Sequence, residues 1–149
     1  MNKVVTFTLL AVVLAVALSW RAASVQAYPE FKEEFDKKYV KDANVPGIAA
    51  EEKALSQAAG TAKCNICHVK GENKKVRNSY GEALDKLLDK GDKKNVAKIN
   101  KALDSAADEK SDPNVANSPT FGELIKSGKL PGKDPPPKPA NPQPANAKK

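Results

Sequence analysis

An all-α fold is what this 149-residue sequence predicts, and three observations carry the expectation. Apolar residues recur at helical spacing in successive segments, and glycine, proline, asparagine and aspartate punctuate the gaps between them. From residue 28 onward no run alternates β-branched and aromatic residues with period two, so strands are not required.

The elements follow in order. "PEFKEEFDKKYV" opens with Pro29, which suits a first helical turn, and sets Phe31, Phe35 and Tyr39 four apart on one face. "NVPG" breaks it. "AAEEKALSQAAGTAKCNICH" reads as a second helix with a bend at Gly60. "NSYGEALDKLLDKG" puts Tyr80, Leu84, Leu87 and Leu88 in phase, with Gly91 as the stop. "DKKNVAKINKALDSAAD" carries Val96, Ile99, Leu103 and Ala106 on one stripe behind an Asp92 cap. After the loop "SDPNVANSP", the short helix "TFGELIKSG" has Thr120 and Glu123 as a capping box and Gly128 as its end.

Two flanks differ in character. Residues 1–27 read as an export signal: basic "MNK", a 17-residue uncharged run at 4–20, and Val25 and Ala27 at the −3 and −1 positions of a cleavage site. A 17-residue run also reaches the lower limit for a membrane span, so an uncleaved anchor stays open. Residues 131–149 hold seven of the eleven prolines and read as a disordered Pro/Lys-rich tail, a solvated spacer or a partner-docking segment. The intervening 28–130 form the expected single domain. Of the net charge of +7, Lys3 and Arg21 contribute two in the leader, and the tail's four lysines and one aspartate contribute three. The domain is therefore nearly balanced, so the basic total says little about nucleic acid, and no nucleic-acid partner is expected.

Chemistry enters at "AKCNICHV". Cys64, Cys67 and His68 spell C-x-x-C-H, the attachment signal for a c-type haem. Each thiol can add to one vinyl group while the next residue offers imidazole to the iron from the same short turn. A redox dithiol or disulfide would belong in a βαβ context, and zinc would need four ligands where the chain has three Cys and His groups. The export signal agrees with haem attachment, which takes place outside the bacterial cytoplasm. One covalent haem is therefore the expected cofactor, with His68 as the iron ligand. Large apolar side chains are sparse, so the haem is expected to serve as part of the core and the haem-free chain to fold poorly.

A helix before C-x-x-C-H, further helices after it and about one hundred residues of domain resemble the small mono-haem cytochromes c, broadly of class I. The detailed match is Cys64, Cys67 and His68. The resemblance implies short helices packed around the haem, an electron-transfer role and a distal methionine. This chain departs there: Met1 is its only methionine, His68 its only histidine, and nothing after His68 is Met, His or Cys. The expected mature start "YPEF" and the later "CNICH" are also similar to the opening of cytochrome f, where the α-amino group of the N-terminal tyrosine is the distal ligand. That likeness covers a few residues and supplies a chemical precedent.

The sixth position therefore stays open among several groups. The α-amino group of Tyr28 loses its proton more readily than any lysine. Lys126 and Lys129 lie where class I proteins carry methionine, and Tyr39 or Tyr80 offers phenolate. An unligated or water-occupied site and a group from elsewhere, such as a partner's side chain, are the remaining alternatives. The expected function is a periplasmic or otherwise exported electron carrier, not an enzyme, with no membrane span once the signal is removed. Its partner is a redox protein, an acidic one if Lys70, Lys74, Lys75 and Arg77 form a docking patch. Diatomic-gas binding or sensing is the alternative. Peroxidase-type catalysis is third, since no second histidine supplies a distal acid–base group.

Overall fold

The computed structural model describes residues 28–133. The expected export leader, 1–27, and the expected tail from 134 onward lie outside the described residues. Within them the chain is all-α: no strand forms, and the only pairings are isolated bridges between His68 and Arg77 and between Lys110 and Thr120. No helix among these residues is long and apolar enough to cross a membrane.

Helix α1, Pro29–Tyr39, starts as expected at its proline. Glu30 lies in its first turn and Lys37 and Lys38 in its last, the arrangement a helix dipole favours. Phe35 is buried at 1 % exposure, with Phe31 and Tyr39 packed beside the core. Helix α2, Ala50–Ala62, buries Leu55 and Ala59. It does not bend at Gly60, which lies inside it. The break falls at Lys63, whose φ of 51° no α-helix accommodates, and a 3₁₀ turn continues through Lys63–Ile66.

Helix α3, Ser79–Asp85, is shorter than its periodicity suggests. Leu88 nonetheless reaches the core, because its N–H still bonds the Leu84 carbonyl at 2.9 Å. Gly91 is not the helix stop. It belongs to a separate 3₁₀ turn, Lys90–Lys94, held by a capping box between Asp89 and Asp92. Asp92 is thus the far member of that box, and the cap of helix α4, Val96–Ala107, is Asn95. The buried stripe of α4 is Ile99, Ala102, Leu103 and Ala106, while Val96, in its first turn, stays about half exposed. Helix α5, Phe121–Lys126, has the expected Thr120/Glu123 box and ends at Gly128 with φ 78°.

Helices α1 and α4 pack together, tied by Tyr39 Oη donating to the Leu103 carbonyl at 3.2 Å and by a Lys38–Asp104 ion pair at 2.8 Å. Buried Glu34 is satisfied in the same seam by Lys37 and by the Asn100 amide. Both helices then lead into a D-x-N-V loop. Asn44 and Asn114 each donate a backbone N–H to the aspartate two residues earlier, and Val45 and Val115 to that aspartate's carbonyl. An aromatic chain ties α1, α3 and α5 together: Phe35 meets Tyr80 at 5.9 Å between centroids, and Tyr80 meets Phe121 at 5.2 Å.

Gly128 closes α5 against α2 in a conformation that disfavours a side chain, and an added Cβ would meet the Glu51 carbonyl oxygen at 2.7 Å. Gly128→Ala is expected to lower unfolding free energy by about 1–3 kcal/mol in denaturant titration, without changing helix content before the transition.

Candidate functional site

The break at Lys63 determines how the cysteine turn is presented. After it, the Cys67 and His68 amides both bond the Cys64 carbonyl, at 3.3 and 3.1 Å. Positions i, i+3 and i+4 of such a turn share a face, so Cys64, Cys67 and His68 all line one cavity. Its volume is about 700 Å³, within the roughly 300–1,000 Å³ typical of small-molecule and cofactor sites. Phe31 and Phe35 from α1, Ile66 from the turn, and Leu84 and Leu88 supply apolar lining. Cations gather around it from four places: Lys32, Lys63, Lys74 with Lys75 and Arg77, and Lys90.

Helix α3 comes directly onto the back of the turn. A Cβ on Gly81 would sit 1.9 Å from the Cys67 carbonyl oxygen, so only glycine permits this approach. Asn78, 1 % exposed, makes the joint. Its Oδ1 accepts the Gly81 N–H at 3.0 Å, its Nδ2 donates to the carbonyls of Asn65 (3.1 Å) and Ile66 (3.0 Å), and its own N–H donates to the Cys67 carbonyl (3.1 Å). Sequence reading missed both residues. An asparagine just before a helical segment signals a cap, but nothing local signals that its amide also holds the cysteine turn.

His68 starts a short loop that returns at Arg77, with Val69 N–H donating to the Val76 carbonyl at 3.2 Å. The buried Nδ1 of His68 has no hydrogen-bond partner among the described residues, whereas Nε2 is not one of the buried orphaned atoms. Burial holds the imidazole below its ordinary pKa, and the charges of Lys74 and Arg77 add to that. The nearby Val76 and Lys74 carbonyls pull the other way without completing a hydrogen bond to Nδ1. A neutral ring is the form that ligates a metal. Burial, with a smaller contribution from Cys64, pushes the Cys67 thiol up to about 12. Such a thiol is largely protonated near neutral pH. Among the described residues no three His, Cys, Asp or Glu side chains converge to hold a metal ion, so a zinc site would lack its further protein ligands.

Two thiols, a neutral imidazole and an apolar lining therefore meet in one cavity, and this donor set fits a covalently held haem. Of the groups weighed for the sixth position, Tyr28 lines the cavity, whereas Lys126, Lys129, Tyr39 and Tyr80 do not. The Tyr39 hydroxyl is engaged by Leu103, and Tyr80 is fully buried between Phe35 and Phe121. Of the four basic residues after the motif, Lys74, Lys75 and Arg77 reach the cavity and Lys70 does not. Lys74 Nζ donates to Asn65 Oδ1 at 3.1 Å, and Arg77 is paired with Asp85 at 2.7 Å.

No family model, curated protein or solved structure matches the chain.

Gly81→Ala forces α3 away from the Cys67 carbonyl. The expected cost is about 3 kcal/mol or more, read as a lowered thermal midpoint.

Proposed function

We propose that this chain is an exported mono-haem c-type cytochrome that carries electrons between protein partners. The observation that carries the reading is the convergence of Cys64, Cys67 and His68 on one cavity of cofactor size with an apolar lining. Cys64 and Cys67 would hold the haem, each by adding S–H across one vinyl double bond, so that a sulfur–carbon bond forms, the thiol hydrogen goes to the other vinyl carbon, and no net oxidation occurs. His68 would supply a neutral imidazole as the iron ligand, since burial and the charges of Lys74 and Arg77 hold its pKa down. The bound haem supplies one-electron iron chemistry. Phe31, Phe35, Leu84 and Leu88 would exclude water around it, and the surrounding cations would suit its anionic groups.

Tyr28, which lines the same cavity, is the best placed of the groups weighed as sixth ligand, through the α-amino group that cleavage after Ala27 would expose. The chain offers no methionine there, so the midpoint potential is expected below that of His/Met carriers. The same lack of Met and His favours the second reading, a haem protein that binds diatomic gases at an open iron.

The deciding experiment is an optical spectrum of the mature holoprotein, ferric and then reduced, before and after CO. Low-spin spectra in both states that CO leaves unchanged are expected for the carrier. A high-spin ferrous form that shifts at once with CO would replace it with the gas-binding reading. For the partner, reversing charge at Lys74 and Lys75 is expected to slow electron transfer to an acidic redox protein at low ionic strength and to flatten its salt dependence. An unchanged salt dependence removes the docking patch.

A further inference from the structure

We propose that Asn78, closed in by residues 131–133, is the positioning residue that sets the spacing of the two cysteines for haem attachment. The inference rests on the haem reading above and adds to it a part of the chain outside the C-x-x-C-H motif.

Helix capping needs only the Oδ1 of Asn78, which accepts from Gly81. Its Nδ2 is directed elsewhere, to the carbonyls of Asn65 and Ile66, the two residues between the cysteines. The backbone N–H adds the carbonyl of Cys67 itself. Three consecutive carbonyls of the motif are thus held by one residue. The turn behind them is a 3₁₀ segment entered through the left-handed φ of Lys63, so its own ladder is short and strained.

The clamp is in turn enclosed. Pro131 is fully buried, and Gly132 lies so close that a Cβ there would be 2.2 Å from the Asn78 Nδ2. Lys133 exchanges hydrogen bonds with Ser79, its N–H to Oγ at 3.2 Å and its carbonyl from the Ser79 N–H at 3.4 Å. These residues open the segment expected to be a free tail. They instead form a strap over the asparagine, keeping water from its amide and leaving it one orientation.

The chemical consequence follows from rigidity. The vinyl carbons of a porphyrin are a fixed distance apart, so both thiols add only if the backbone presents them at matching separation. Cys64 is exposed and Cys67 partly buried. Losing the Asn78 side chain frees the Asn65 and Ile66 carbonyls, leaves only the backbone bond to Cys67, and lets that separation drift. One thiol then adds and the other stays free.

The test expresses the full chain with its leader in a host that attaches haem to exported proteins. The variants are Asn78→Ala, Asn78→Asp, chains ended after Leu130 or after Lys133, and Asn78→Ala combined with the Leu130 end. Asn78→Asp keeps the cap acceptor and loses the two side-chain donors. Intact mass with the α-band of the pyridine haemochrome counts thioether links, and thermal melting is followed separately. Thr120→Ala, which removes the α5 cap away from the cavity, serves as a stability control. The expected result is two links in the wild type, in Thr120→Ala and in the chain ended at Lys133. Asn78→Ala, Asn78→Asp and the Leu130 end should each raise the singly linked fraction several-fold, and the combined variant should be no worse than either alone. Two links throughout in Asn78→Asp would overturn the positioning role while leaving the haem reading intact. So would an equal rise in Thr120→Ala, which would trace the defect to stability alone. A wild type with no covalent haem would remove both.

Discussion

One side-chain amide joins the two least regular parts of this molecule. The first amides of a helix lack partners, and so do the carbonyls of a short 3₁₀ turn. Asn78 stands between α3 and the cysteine turn and answers both, with an acceptor toward Gly81 and donors toward Asn65 and Ile66. Buried polar groups of this kind cost free energy when left unmet, so the arrangement is effectively all or none. The missing side chain of Gly81 lets α3 approach closely enough for the bonds to form, and the missing side chain of Gly132 lets the strap cover them.

Around that joint, chemistry and packing are separated. The aromatic chain Phe35–Tyr80–Phe121 fills the space between α1, α3 and α5, with Ile99, Leu103 and Ala106 of α4 in the same core. Phe35 serves both sides, since it also lines the cavity. Half of the six cations around the cavity are engaged: Arg77 pairs with Asp85, Lys74 bonds Asn65, and Lys32 pairs with Asp36. Such exposed pairs contribute little to stability, but their field persists over a Debye length of about 8 Å at physiological salt. This places them better as guides for anionic groups than as fasteners.

Local chemistry and tertiary context divide the legibility of the chain unevenly. Pro29 at the start of α1, the Thr120/Glu123 box and Gly128 after α5 are local devices whose partners lie within four residues, and each appears where its pattern puts it. Boundaries set from outside do not. The bend at Lys63 instead of Gly60 follows from how α2 must hand the chain to the cavity, and the early end of α3 follows from the separate capping box at Asp89 and Asp92. The matched D-x-N-V loops, at 42–45 and 112–115, repeat in the sequence, but each alone has the pattern of an ordinary turn and only the fold shows that both follow the packed helices α1 and α4.

By itself, the sequence determined the helical class, the order of the helices and the identity of three chemically paired residues, since Cys64, Cys67 and His68 sit within five positions and need no fold to be neighbours. Tertiary structure decided what surrounds them. It brought Tyr28 and α1 to the same cavity, left Lys126, Lys129, Tyr39 and Tyr80 out of it, and gave Asn78 and residues 131–133 a place at the site. The physical reason is range. Capping, helical phase and motif spacing act over a few residues, whereas cavities and buried hydrogen bonds depend on which distant surfaces the packing presses together.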